Sequence, residues 1–242
     1  MDNGTETIAH GNGLTTAVDT IVAPRAAFTT LASVPTWGWA FLIAVVLGAI
    51  GSYLGGPANT HVGHIVFTQQ AATNPQVAAM SPAQRASAEA ISSTIIKFAP
   101  LMIPIMLLIM VLIQSVVLLV FNAAGHGKAD FKRLWAGLMN ISIVSLGLAS
   151  VLLGSIAAAR GADAFSSQRS LLLAVPSLAW IAPHATVKIA AFLSTFNITG
   201  IWAAILIYIM LAATAKLSRP VAILGAATIL VGSGLLSSVF IH

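Results

Sequence analysis

The chain has 242 residues, of which 58% are hydrophobic and 7% charged, with a formal net charge of +5 and a mean hydropathy of +0.95. A water-soluble domain carries about 25% charged residues, so this composition excludes a chain bathed in water on all sides and requires lipid over much of its surface. The absence of cysteine excludes disulfides, thiolate zinc sites and cysteine nucleophiles, and the dispersed positive charge lacks the dense basic stripe of a nucleic-acid binder.

Residues 1–20 are polar and read as a disordered tail. No basic segment leads there into an apolar run, which argues against a cleaved secretory signal. From Val22 to Val34 the pattern predicts a short amphipathic helix, with Pro24 in its first turn and Phe28 and Leu31 on one face. Such a helix is expected to lie on the bilayer; an ordinary turn ahead of the membrane is the alternative.

A transmembrane helix needs roughly 20 predominantly apolar residues. Five stretches qualify, at about 36–54, 98–121, 134–159, 199–215 and 221–241. The first lies behind Pro35, with Trp37 and Trp39 at interfacial positions. Pro57 to Lys97 is the longest polar connection, within which Ser81-Pro82 opens a capped helix. Ser170 to Asn197 is apolar but interrupted by Pro176, Pro183, His184 and Lys188. It reads as one or two interfacial or re-entrant helices, with a sixth span as the alternative. The expected fold is all-α: a polytopic transmembrane bundle over 21–242, with short interfacial helices before the first span and between the third and fourth.

Basic residues in short loops set topology. The connections around Lys128, Lys132 and Arg133 and around Lys216 and Arg219 are short and strongly basic. They point to a cytoplasmic N-terminus and an outer C-terminus.

No predicted span centre contains Asp, Glu, Lys, Arg or His. Proton-coupled transporters and intramembrane metalloproteases rely on such groups, so no catalytic residue, cofactor or metal is assigned and no enzyme is expected. Gln114 in the second span and Asn140, Ser142, Ser145 and Ser150 in the third form the candidate polar cluster. They would either line a pocket or act as interhelical glue, the commoner role. His61 and His64, with Glu89 nearby, have the spacing of two metal ligands, although solvated loop histidines are the more ordinary account. Gly125-His126-Gly127-Lys128 lacks the spacing of a phosphate-binding loop and reads as a tight hairpin turn. Rows of small residues (Ala44, Gly48 and Ser52; Gly51 and Gly55; Gly147, Gly154 and Ala158; Gly225, Gly232 and Gly234) predict close helix approach, inside the bundle or in a homo- or hetero-oligomer. Pro100 and Pro104 predict a distorted start to the second span.

Five short motifs stand around these spans. They are Pro24-Arg25-Ala26-Ala27-Phe28, Pro35-Thr36-Trp37, Phe131-Lys132-Arg133-Leu134-Trp135, Phe196-Asn197-Ile198-Thr199-Gly200-Ile201-Trp202 and Leu217-Ser218-Arg219. In this order the chain resembles bacterial members of the Yip family, the Ypt/Rab-GTPase-interacting five-span membrane proteins. The resemblance implies a bacterial inner-membrane protein with a cytoplasmic N-terminus and an outer C-terminus, acting through protein or lipid contacts in membrane organisation. Eukaryotic members bind prenylated small GTPases, but their acidic Asp-Leu-Gly-Pro-type signature is missing here, so neither a GTPase partner nor any functional residue is carried over. A small transporter, channel or lipid-translocating protein is the alternative.

Overall fold

A computed structural model describes residues 12–239 and 241. Among these the fold is all-α, as expected: helices joined by short turns, without a β-strand. Helix α1 (Gly13–Val22) starts at Asn12, whose side chain accepts from the Leu14 N–H, and turns directly into α2 (Pro24–Ser33) with Pro24 in its first turn. The described part of the expected tail, residues 13–20, is therefore helical; residues 1–11 lie outside the described ones. Phe28 and Leu31 do share a face of α2, but they are fully buried against the bundle. The physical reason is the Thr214 hydroxyl, which donates to the Phe28 carbonyl at 3.1 Å and docks α2 onto the end of a later helix.

Helix α3 (Gly38–Thr73) has 36 residues, roughly 54 Å at 1.5 Å per residue. It runs on through Pro57 well past the predicted span. After the single-turn α4 (Pro75–Ala78), α5 (Pro82–Ala124) opens with a capping box: Ser81 accepts from the Gln84 N–H while the Gln84 side chain accepts from the Ser81 N–H. At 43 residues it is roughly 65 Å long, twice the hydrocarbon thickness. The connection expected from 57 to 97 is thus mostly helical, and α3 and α5 project beyond the membrane-length core as a pair.

The return helix is α6 (Phe131–Ser142), capped by Asp130, which passes through a π-helical segment (Ile143–Leu148) into α7 (Ala149–Arg160). Gly161, at φ +77°, ends it. The segment expected to be interfacial or re-entrant holds α8 (Gln168–Leu172), a 3₁₀ turn and α9 (Val187–Ser194). Each is far too short to cross a bilayer. The bundle closes with α10 (Ile198–Ala213) and α11 (Arg219–Val239).

Among the described residues four helices are long and apolar enough to span: Gly38–Thr73, Pro100–Ala124, Phe131–Arg160 and Arg219–Val239. The expected fourth span is the 16-residue α10, at roughly 24 Å shorter than the hydrocarbon core. It is nonetheless central, burying Leu206, Ile207, Met210 and Leu211 in the main apolar cluster.

Small residues set the packing of α3. Ala40, Ala44, Gly48, Gly51, Gly55 and Ala58 form its buried face, against the π segment and α7. A side chain on Gly147 would press on Leu47, and one on Gly234 on Phe192. These rows therefore make contacts inside one chain. Gly232, by contrast, faces open space.

Candidate functional site

Helix α5 leans on α3, while α11 packs on α10 and on α9. Between them lies a cleft of about 420 Å³, within the size range of small-molecule sites. Its walls are apolar, and they come from α5, from the turn joining α6 to the π segment, from the start of α10 and from α11.

Of the four candidate residues, Gln114, Ser142 and Ser145 line this cleft together. Asn140 does not join them. It is buried on the opposite face of α6, where its amide nitrogen donates to the Thr36 carbonyl at 3.0 Å and to the Ala136 carbonyl at 2.8 Å. The 3.6-residue period explains the split: Asn140 and Ser142 point about 200° apart on α6. Asn140 is helix glue, and Ser150 contributes backbone packed against Gly51.

The cleft also gathers polar groups that the candidate list lacks. Asn197 caps α10, accepting from the Gly200 N–H at 2.9 Å and the Thr199 hydroxyl at 2.7 Å and donating to the Ser194 carbonyl at 2.9 Å. Thr195, Thr199 and Ser233 complete the seam. The Asn197-x-Thr199 pair ahead of an apolar run was a legible capping signal. On α5, Met102, Met106 and Met110 precede Gln114 at intervals of four, and all four line the cleft. That spacing is equally visible in the sequence, although methionines at helical spacing ordinarily mark core.

The polar atoms fall into two groups. Asn197, Thr195 and Ser142 bond to their own chain. Among the described residues, the side chains of Gln114, Ser145 and Ser233 make no hydrogen bond. Ser145 sits on the π-helical segment, an irregularity that occurs mostly as short insertions in α-helices, often at functional sites. No lining residue is ionisable. The site can therefore offer a ligand uncharged donors and acceptors along one edge and flexible thioether and aliphatic surface elsewhere.

The histidines of the expected metal pair part company. His64 Nδ1 contacts Glu89, whereas His61 Nδ1 lies 4.0 Å from Asp163. Among the described residues no group of three or more His, Asp or Glu could hold a metal ion.

Comparison with protein-family models, curated proteins and solved structures finds no match to this chain. What the fold and composition define is a class: an all-helical integral membrane protein.

Proposed function

We propose that this is a non-enzymatic membrane protein that acts by holding an amphipathic, uncharged-headed molecule, a membrane lipid in the first instance, in the cleft between α5 and α10–α11. The observation that carries this reading is the placement of the unbonded side chains of Gln114, Ser145 and Ser233 in one apolar cleft. Polar groups at that depth are costly unless they find partners, and a lipid's ester, hydroxyl or amide groups would supply them. The reading agrees with action through lipid contacts in membrane organisation, as the Yip-like motifs imply. Those motifs also imply a cytoplasmic N-terminus.

The test is native mass spectrometry of the full chain released from nanodiscs of mixed lipid. Wild type is expected to retain one uncharged-headed lipid, and Ala204→Phe, which fills the cleft, to lose it. Equal retention by both proteins would sink the proposal.

Lipid translocation is the second reading, favoured by Pro100 and Pro104, which remove two backbone hydrogen bonds from α5 beside the cleft. Dithionite quenching of fluorescent lipid in proteoliposomes separates the two. Movement above that of empty vesicles, abolished by Ala204→Phe, would favour translocation over holding.

A further inference from the structure

Helix α1 is built inside out. It buries Thr16, Ala17 and Thr20 against the rest of the protein, while Leu14, Val18 and Val22 are 40%, 50% and 71% exposed. These three lie at intervals of four and form one outward apolar stripe. In water the arrangement would be reversed.

The surroundings of the stripe say what covers it. Gly13, at the start of α1, packs on the side chains of Thr36 and Trp39. Trp39 and Leu42, both about half exposed, begin the outward row of helix α3. Close by, Trp37 meets Trp135 edge-on at 6.1 Å, and Trp135 in turn lies tilted against Phe131 at 5.9 Å. Tryptophans and their aromatic neighbours mark the level where headgroups meet acyl chains. The α1 stripe therefore continues a lipid-facing surface at interfacial depth.

The same end of the bundle carries a basic rim. The Lys128 N–H donates to the Ala215 carbonyl at 2.8 Å, joining the α5–α6 turn to the α10–α11 turn. The Thr214–Phe28 bond brings in α2, with Arg25 one turn away. Arg25, Lys128, Lys132, Lys216 and Arg219 are all exposed, and among the described residues their side chains make no hydrogen bond or ion pair. Cations at the other end are differently disposed. Arg85 bonds the Ala78 carbonyl, Arg169 the carbonyls of Ala182 and Ala185, and Arg160 lies 4.9 Å over the Phe165 ring.

We propose that α1 is an in-plane membrane anchor, with its Leu14–Val18–Val22 stripe sunk into the acyl boundary and the basic rim beside it gripping anionic lipid headgroups. Buried apolar area and attraction to anionic lipid reinforce each other in such helices. The proposal is independent of the cleft.

Because the chain has no cysteine, single Leu14→Cys, Val18→Cys and Val22→Cys variants can each carry one nitroxide. In vesicles of phosphatidylcholine and phosphatidylglycerol, all three labels are expected to be relaxed more by oxygen than by a water-soluble nickel chelate. A label at Gln69→Cys, exposed on the projecting part of α3, should show the reverse. Stripe labels that behave like the Gln69 label, or that broaden one another between copies, would overturn the anchor.

For the rim, native mass spectrometry from the same vesicles is expected to show about tenfold less retained phosphatidylglycerol in Lys128→Gln/Lys216→Gln/Arg219→Gln than in wild type. Arg160→Gln/Lys188→Gln should lose none, and excess inorganic phosphate should not displace the lipid. Equal losses in the two variants, no loss in either, or displacement by phosphate would each refute headgroup binding at the rim. An unchanged melting temperature of the triple variant ties the loss to charge and not to unfolding.

Discussion

Gly51 of α3 and Gly154 of α7 meet backbone against backbone: a methyl group on either would overlap the main chain of the other helix. This contact welds the two helices at a depth where neither has a hydrophobic drive to associate, because lipid is as apolar as the helices themselves. Gly51→Ala is expected to destabilise the folded protein by about 1–3 kcal/mol, the usual penalty of overpacking. Gly56→Ala on the same helix, which meets open space, should be neutral or slightly stabilising. Thermal unfolding in detergent, read by tryptophan fluorescence, compares the two.

Asn140→Ala removes both amide bonds to the Thr36 and Ala136 carbonyls. Because its Oδ1 has no partner, the loss is expected to be small, about 1 kcal/mol in total. Lipid retention in the cleft should be unchanged. Native mass spectrometry and a melting curve on the same sample check both halves of the statement.

Gln114→Leu should do the opposite. The substitution keeps volume and apolar contact, so stability is expected to hold or rise slightly. Retained lipid should fall about three- to tenfold, the worth of a hydrogen bond of about 1 kcal/mol. A measured loss of stability without a change in retained lipid would show that Gln114 packs the bundle and contacts no ligand.

The α5–α6 turn depends on Asn122, which is buried. Its side chain donates to the Ala129 carbonyl at 2.8 Å and accepts from the Ala129 N–H at 3.3 Å. Asn122→Leu leaves both backbone groups without partners and is expected to cost about 2–3 kcal/mol. Glu89→Gln, which breaks the exposed pair with His64, should change stability by no more than about 1 kcal/mol. Chemical denaturation in mixed micelles ranks the two variants.

The membrane class was legible because composition reports the solvent. All four span-length helices were legible in outline because long apolar runs have no other use. Helix lengths were less so: nothing in the polar sequence after Pro57 marks how far α3 continues, since a solvated helix and a loop can share one composition. The inside-out face of α1 was hidden for a related reason. Thr16 and Thr20 satisfy their own hydroxyls on Asn12 and Thr16 carbonyls, so burying them costs little, and no periodicity rule anticipates that choice. For the cleft, Gln114, Ser142 and Ser145 were found by polarity in apolar surroundings. Ser233 was missed because one serine in a Gly-rich helix resembles packing.

The bond between Phe28 and Thr214 spans 186 positions of the chain. Translation at 5–20 residues per second separates the making of those two residues by roughly 10–40 s. Throughout that interval Phe28 and Leu31, fully buried in the finished protein, have no α10 to cover them. The N-terminal hairpin must therefore wait as an unfinished part, and biogenesis depends on a chaperone or the bilayer itself shielding that face until the last turn of α10 arrives.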